Sequence, residues 1–174
     1  MNVHLRKIEL SDTANIVKWR NSDDVRKNLF TQDDLTEEQH NNWFHSKVET
    51  GYCAQYIIQA VDNDVITDIG TTFIKGANSS DAVGEFGIFI GEPSFRGKHL
   101  ASYATMEMIK IGFEELRLKN IFLTVFQDNV PARKTYEKLG FEPMSKTEVI
   151  NGKDVLYMSL SRQKWSEITK DNNI

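Results

Sequence analysis

The chain has 174 residues, a formal net charge of -4 at pH 7, and apolar and charged shares of 40% and 26%. This balance is typical of one folded domain with a sound core, and the negative charge argues against a general nucleic-acid binder. Cys53 is the only cysteine, which excludes an internal disulfide and a cysteine zinc cluster. No apolar run reaches the ~18 residues of a membrane span, and the start of the chain lacks a signal-peptide pattern. We therefore expect a cytoplasmic protein without membrane or nucleic-acid partners.

The first 50 residues predict one strand followed by short helices. Residues 3–8 alternate between apolar and polar types, as a half-buried strand does. A Ser-Asp pair caps a predicted helix over residues 11–21, and a second short helix is predicted over 23–30. A capping-box pattern then opens a third helix over residues 36–50.

The middle of the chain predicts a sheet joined to one long helix. Short turns separate predicted strands at 52–61, 65–74 and 82–90, which favours antiparallel neighbours. A helix over residues 98–116 has one narrow polar stripe and is otherwise apolar, so we expect it to be buried on more than one side. The nearly all-apolar run 120–126 indicates a buried strand parallel to its neighbour, completing a β–α–β unit.

The end of the chain predicts a helix, a hairpin and a tail. Proline at the start and glycine after the end mark a helix over residues 131–139. An Asn-Gly turn joins predicted strands 141–150 and 154–160. We assign residues 1–162 to a single domain and residues 163–174 to a polar C-terminal tail, with packing of Trp165 and Ile168 against the domain as the alternative.

A short basic loop, residues 96–99, lies between the strand 82–90 and the long helix. Strand, basic loop and helix N-terminus form an arrangement suited to anions, because free N–H groups and the helix dipole point at the ligand. A solvated basic loop that merely caps the helix fits the same residues.

Two stretches together resemble the GNAT N-acetyltransferase superfamily. Its first signature is Arg/Gln-x-x-Gly-x-Gly/Ala, to which Arg96 and Ala101 correspond, whereas His99 stands where glycine is usual. Its second signature, Asn-x-x-Ala-x-x-x-Tyr-Glu-Lys-x-Gly-Phe, is matched at every specified position of residues 129–141. The order of predicted elements also agrees, so the resemblance covers nearly the whole chain.

The resemblance implies an α/β (α+β) fold, a single GNAT-like domain whose mixed central β-sheet is flanked by helices and whose parallel central strands splay apart. It implies acetyl-CoA as co-substrate, with the pyrophosphate on the N–H groups of residues 97–101 and the pantetheine arm along the central strand. The implied cofactor-binding residues are Phe89, Ile90, Arg96, Gly97, Lys98, His99, Leu100, Ala101, Asn129 and Arg133. Because His99 has a Cβ, we expect an ordinary helical backbone there. The four histidines show no ligand spacing, so we expect no metal.

Tyr136 is the best candidate for a general acid. Attack of an amine on a thioester expels a thiolate, which a nearby phenol can protonate or hydrogen-bond. The spacing of Ala132, Tyr136 and Leu139 also fits a stripe of core residues, so the pattern alone allows both roles.

Glu85 is the leading candidate for the base that relieves the attacking amine of its proton. Strand alternation places it on the face of Gly87 and Phe89, and the resemblance implies that an acid near this position acts through water. A structural carboxylate fits the pattern equally well. Rival bases are His40, His45 and His99.

The acceptor is predicted from aromatic and polar residues of the first 50 positions. Such side chains can hold a sugar ring and a diphosphate by stacking and bidentate contacts. The predicted substrate-binding residues are Trp19, Arg20, Asn21, His40 and Trp43. As a set they resemble the GNAT branch that acetylates a nucleotide-linked amino sugar of the pseudaminic acid pathway. Helix-core packing is the alternative for any one aromatic residue.

We therefore predict acetyl transfer from acetyl-CoA to a primary amine by direct attack in a ternary complex. The predicted acceptor is a UDP-amino sugar. Ribosomal-protein N-terminal and polyamine N-acetyltransferases share the same core and are the alternatives. A catalytically silent CoA-binding module is the non-enzyme alternative, favoured by His99 in place of glycine. The predicted assembly is a monomer or homodimer.

Overall fold

The computed structural model describes residues 2–172, which form one seven-stranded sheet with helices on both faces. The strands are β1 Asn2–Lys7, β2 Cys53–Asp62, β3 Val65–Lys75, β4 Val83–Ile90, β5 Asn120–Phe126, β6 Glu142–Ile150 and β7 Lys153–Ser161. The helices are α1 Thr13–Asn21, α2 Asp23–Arg26, α3 Glu37–Trp43, α4 Leu100–Lys110, α5 Val130–Lys138 and α6 Arg162–Asn172. Helices α3 and α4 each continue into a wider π-helical turn, Phe44–Val48 and Ile111–Glu115.

The sheet is mixed, as predicted. Its strand order is β1-β2-β3-β4-β5-β7-β6, and β4 and β5 are its parallel pair. The other neighbours are antiparallel, which agrees with the short turns that join β2 to β3 and β6 to β7. The long helix α4 makes the crossover between the two parallel strands.

The two parallel strands separate along their length. Pairing between β4 and β5 is confined to Val83–Asn120, Gly84–Ile121 and Glu85–Phe122. Both strands continue beyond these pairs, to Ile90 and Phe126. The predicted splay is therefore present, and it opens a gap at the carboxyl ends of the central strands.

Apolar layers on both faces hold the sheet. On one face, side chains of α4, α5 and α6 pack against Phe86 and Ile121 of the central strands. On the other face, Ile16 and Trp19 of α1 pack with Phe44 and Phe89. Alternation along β4 puts Phe86 and Phe89 on opposite faces, so β4 is covered from both sides.

The capping box predicted for the third helix is confirmed. The Gln39 N–H donates to the Thr36 hydroxyl at 3.2 Å, and the Thr36 N–H donates to the Gln39 side chain at 2.9 Å. The predicted second helix over 23–30 is shorter, because the helical turn ends at Arg26. No helix of residues 2–172 is long and apolar enough to cross a membrane.

The polar tail predicted from residue 163 is wrong in the described part. Residues 162–172 form α6, whose Trp165 is only 7% exposed and belongs to the main core. Its ring centroid lies 6.1 Å from that of Phe113 in the turn after α4. The alternative that Trp165 packs against the domain is therefore confirmed, whereas the polar composition of the surrounding residues had indicated a tail.

Candidate active site

The unpaired end of β4 leads into a loop of free N–H groups. After β4 the chain makes a short 3-10 turn, Pro93–Phe95, and then enters α4. Across the described residues, none of the main-chain N–H groups of residues 97–101 has an acceptor. Such groups at a helix start carry partial positive charge and bind anions. This loop is called the N–H cradle below.

Two residues of the N–H cradle have a left-handed backbone. The φ angles are 72° at Gly97 and 60° at His99, and His99 is the residue immediately before α4. The ordinary helical backbone expected at His99 is therefore wrong, and the helix begins at Leu100. A left-handed residue with a Cβ costs about 1–2 kcal/mol, which the glycine usual at this point of the signature avoids. No atom lies within 4 Å of the Cβ position at Gly97, so the loop is open to a ligand there.

Arg96 fixes the end of β4. Its Nε donates to the Ile90 carbonyl at 3.0 Å, and its Nη2 donates to the Gly91 carbonyl at 2.8 Å. Its Nη1 forms an ion pair with Asp24 at 2.7 Å. The other predicted cation, Lys98, lies 5.2 Å above the Phe95 ring. Arg96 therefore shapes the cradle, and its charge is already partnered.

Several predicted cofactor residues have packed side chains, so that only their main-chain groups are available to a cofactor. Leu100 is 3% exposed and packs with Ile90 on one face of the sheet. Phe89 packs in the cluster of the opposite face. Ala101 is half-buried in the first turn of α4, and its N–H has no acceptor within residues 2–172.

Tyr136 lies on α5, beside the central strands. Its ring makes edge contacts with Phe86 and Phe141, at centroid distances of 6.1 Å and 6.0 Å. Burial raises the pKa of its phenol to about 12. No described group hydrogen-bonds its hydroxyl. The phenol is therefore held in the protonated form with a free donor.

Asn129 and Arg133 lie at the start of α5, the helix that follows β5. Asn129 caps the helix by accepting from the Ala132 N–H at 3.4 Å, and its amide also donates to the Asn28 side chain at 3.4 Å. Arg133 donates from Nη1 to the Gln127 carbonyl at 2.9 Å, while its buried Nε has no acceptor within residues 2–172. Asn129 thereby lies close to the end of β5, whereas Arg133 lines a cavity that it shares with Lys153 and Asp154 of the β6–β7 hairpin.

The acetyltransferase (GNAT) domain family matches residues 2–142. The chain belongs to the GNAT acetyltransferase family. The N–H cradle and the start of α5 are the segments of this domain that carry the two signatures, residues 96–101 and 129–141.

Several relatives share parts of this GNAT domain. L-amino acid N-acetyltransferase AaaT of Escherichia coli is 35% identical over 86 residues, covering 49% of this chain and 52% of that protein. An uncharacterized protein of Methanocaldococcus jannaschii is 25% identical over 143 residues, covering 82% of this chain and 28% of that protein. The chain thus spans about a quarter to a half of these two relatives.

Solved structures share the fold over almost the full length. Spermidine N-acetyltransferase of Vibrio cholerae, in complex with CoA and spermine, superposes with a TM-score of 0.84. The match covers 95% of this chain and 98% of that one at 23% identity. A dodecameric form of the Vibrio cholerae enzyme matches with a TM-score of 0.76. At such identities, the likeness concerns the fold alone.

In this GNAT domain Glu85 and Tyr136 lie on opposite sides of β4. Glu85 pairs with Phe122 in the last parallel pair before the gap opens. Its carboxylate is about one-third exposed and lies 3.7 Å from the Lys75 ammonium, which sits above the Phe73 ring at 5.1 Å. Tyr136 packs against the neighbouring Phe86, on the other face. The structure therefore does not bring the two predicted catalytic groups into contact.

Two predicted acceptor residues belong to the core. Trp19 is 3% exposed, and its indole N–H donates to Glu92 at 2.7 Å. Its ring packs tightly on Gly91, where an added Cβ would lie 2.1 Å from the ring. His40 is 3% exposed and hydrogen-bonds the Thr13 hydroxyl at 2.9 Å. Their burial contradicts the predicted direct contact with an acceptor.

The other predicted acceptor residues have structural partners. Arg20 donates to the carbonyls of Thr31 and Asp33, at 2.8 Å and 2.6 Å. Asn21 exchanges two hydrogen bonds with the main chain of Leu35. Trp43 is half-buried, and its indole donates to Gln55 at 3.3 Å. The Trp43 ring lies 6.0 Å from the Lys75 ammonium, which in turn pairs with Glu85 on β4.

Sequence reasoning missed the residues that join the first 50 positions to the gap. Asp24 contacts Arg96 in the loop after β4, Asn28 contacts Asn129 after β5, and Phe30 contacts Phe126 at the end of β5. Nothing in the sequence marks them, because their partners lie 72 to 121 positions away along the chain.

Proposed function

We propose that this GNAT domain transfers an acetyl group from acetyl-CoA to the primary amine of a small molecule, by direct attack in a ternary complex. The observation that carries the proposal is the gap between β4 and β5, which ends at the free N–H groups of residues 97–101. A slot for an extended chain therefore leads to a cradle for a diphosphate, which is the shape of coenzyme A.

The residues around the gap fit this co-substrate. The N–H cradle would hold the diphosphate, and the main chain of Phe89 and Ile90 would hold the pantetheine arm, because β4 lacks a strand partner there on its β5 side. Asn129 would contact the arm from the opposite wall, and the buried Nε of Arg133 offers a donor that still lacks an acceptor. Arg96 would act through the loop geometry that it fixes and through the positive charge of its guanidinium beside the cradle.

Tyr136 would act by hydrogen bonding to the thioester sulfur. Acetyl-CoA supplies a thioester, whose carbon–sulfur bond breaks as the amine forms a carbon–nitrogen bond. The phenol has a pKa of about 12, whereas an ordinary thiol has a pKa of about 8.5. A thiolate is therefore too weak a base to take the proton fully from this phenol. The hydroxyl stabilises the negative charge that develops on sulfur, as a preorganised donor.

Glu85 would receive the proton of the attacking amine through water. Its carboxylate lies on the face opposite Tyr136, so the acceptor would approach from the side of Trp43 and Lys75. This division puts the proton acceptor and the sulfur donor on opposite sides of the reacting carbon. It is the geometry that direct transfer requires, since the amine enters as the thiolate leaves.

A small cationic amine, such as a polyamine, is the acceptor that the charges favour. Residues 22–36 carry four aspartates (Asp23, Asp24, Asp33, Asp34) against Arg26 and Lys27. The solved structures with this fold include a spermidine N-acetyltransferase. The nucleotide-linked amino sugar remains the second candidate, supported by Trp43, while burial of Trp19 and His40 removes two of its five predicted contacts.

Release of free thiol from acetyl-CoA tests both the proposed acetyl transfer and the proposed acceptor. The panel holds spermidine and spermine, a UDP-amino sugar, L-amino acids and peptides with free N-termini. We expect turnover with the polyamines. Turnover confined to the UDP-amino sugar would move the acceptor to the second candidate, and binding of acetyl-CoA without thiol release from any amine would contradict the enzymatic proposal.

A further inference from the structure

Residues 24–30, called the strap below, cross the mouth of the gap between β4 and β5. At one end the Asp24 carboxylate pairs with Arg96, which is fixed to the carbonyls of Ile90, the last residue of β4, and of Gly91 after it. At the other end the Phe30 ring lies 4.8 Å from that of Phe126, the last residue of β5. Because the two strands have already separated there, a segment that touches both ends must span the opening.

Two further hydrogen bonds close the strap over the gap. The Asn129 side chain donates to that of Asn28 at 3.4 Å, and the Asn151 side chain donates to the Phe30 carbonyl at 2.8 Å. Arg96 and Asn129 are therefore shared between the strap and the proposed cofactor site. The strap occupies partners that the cofactor would use.

The Asp24 carboxylate occupies the Arg96 guanidinium in the way that a bound anion would. Arg96 presents Nη1 to a carboxylate at 2.7 Å, directly before the N–H cradle in sequence. The same carboxylate binds the Lys27 ammonium at 2.9 Å through its other oxygen. The Lys27 and Arg96 contacts lower the pKa of Asp24, so its carboxylate is ionised at neutral pH. A diphosphate placed on the cradle would bring a second anion to the same guanidinium.

We propose that Asp24 is an internal competitor for the cofactor's diphosphate, and that binding of acetyl-CoA displaces it from Arg96 and releases the strap. The inference rests on the proposed cofactor site. It couples the two substrates, because Asp24 released from Arg96 adds its charge to the acidic segment 22–36, which is proposed to attract the cationic acceptor.

Calorimetric titration with CoA tests the competition. Asp24→Asn should bind CoA about two- to fivefold more tightly than the wild type, which is the range for loss of one exposed ion pair. The gain should shrink as salt is raised, because both contacts are electrostatic. Asp33→Asn is the matched control, since it removes the same charge from the same loop without a contact to Arg96.

The outcomes separate this inference from the proposed function. If the wild type fails to bind CoA, the cofactor site itself is wrong. If the wild type binds CoA and Asp24→Asn binds it no more tightly than Asp33→Asn does, the competition is overturned while the cofactor site stands.

Limited trypsin digestion supplies a second readout, because Arg26 and Lys27 lie in the strap. CoA should speed cleavage at these sites in the wild type. Asp24→Asn should be cleaved rapidly even without CoA. Protection of the two sites by CoA would overturn release of the strap.

Discussion

Tyr136 shows how surroundings decide the role of one residue. Spacing within its helix allowed both core packing and catalysis, and the structure combines the two, since the ring packs on Phe86 and Phe141 while the hydroxyl has no described partner. Tyr136→Phe keeps the ring contacts and removes the donor. Turnover should fall by ~10²-fold, within the range for loss of one positioned donor, while CoA affinity stays unchanged. Equal turnover of the two proteins would remove Tyr136 from the chemistry.

Ionisation of Tyr136 should not limit activity at moderately alkaline pH. Burial raises the pKa of the phenol from 10.0 to about 12, so the donor keeps its proton throughout the range below the raised pKa. If turnover of the wild type and of Tyr136→Phe declines equally as the pH rises, ionisation of another group causes the decline. A decline in turnover between pH 10.0 and about 12 that occurs in the wild type but not in Tyr136→Phe would contradict the raised pKa of the phenol.

His40 should make the fold sensitive to mild acid. Burial lowers the pKa of its imidazole from 6.5, so the folded state binds the proton less readily than the unfolded state. The corresponding stability is present above pH 6.5 and is lost as the pH falls through the lowered value. Asp12 titrates in a separate, more acidic window, because its pKa is lowered from 3.8 despite burial, by the Arg6 hydrogen bond and the backbone of Glu9.

Urea unfolding as a function of pH tests the assignment to His40. The unfolding free energy of the wild type should decline just below pH 6.5, whereas His40→Gln should show a flatter profile there. His45→Gln is the control, since His45 is an exposed histidine of the following turn. An equal decline in all three proteins would exclude His40 as the cause.

At the scale of elements, the left-handed backbone of His99 in the N–H cradle lowers the stability of the fold. One substitution should remove this loss. His99→Gly relieves the left-handed residue before α4 and should raise the unfolding free energy by about 1 kcal/mol. Gly97→Ala should lower it by a similar amount, because its φ of 72° is also left-handed. Urea midpoints of the two variants should therefore move in opposite directions, and a shift in the same direction would contradict the backbone account.

Helix α6 should be required for the fold despite its polar sequence. Trp165→Ala removes a buried ring from the main core and should destabilise the protein by about 3–5 kcal/mol. Lys170→Ala, at an exposed position of the same helix, should change little. Thermal unfolding of both variants measures the difference, and equal stability would restore the interpretation of this segment as a tail.

These elements show what the sequence could and could not predict. Alternation, caps and the Asn-Gly turn depend on neighbours a few positions apart, so the strands, the capping box and the hairpin were predicted correctly. The separation of the parallel strands β4 and β5 was predicted from the family signatures. The helical conformation of α6 was missed because its sequence is polar, and only the packing of Trp165 was considered as an alternative to a tail. The left-handed His99 was missed because histidine adopts that backbone only where the surrounding chain imposes it.

At the scale of the molecule, the acceptor side was the least predictable. Trp19, Arg20 and Asn21 have the chemistry of ligand-binding residues, yet their partners are Glu92, Thr31 and Leu35 within the chain. A sequence does not reveal whether a polar group will find its partner in a ligand or in a distant segment. The strap, which joins the first 50 residues to both central strands, illustrates the same limit.

The whole arrangement depends on the gap and the N–H cradle forming one binding site. Ala101→Asp tests this, because a carboxylate in the first turn of α4 stabilises the helix through its dipole but repels a diphosphate on the same N–H groups. The variant should therefore be at least as stable as the wild type while binding acetyl-CoA more weakly, by about tenfold or more. Calorimetric titration of the two proteins with acetyl-CoA is the most direct measurement. One site per chain in the wild type with a clear loss of affinity in Ala101→Asp is the predicted result, and equal affinity would contradict the account.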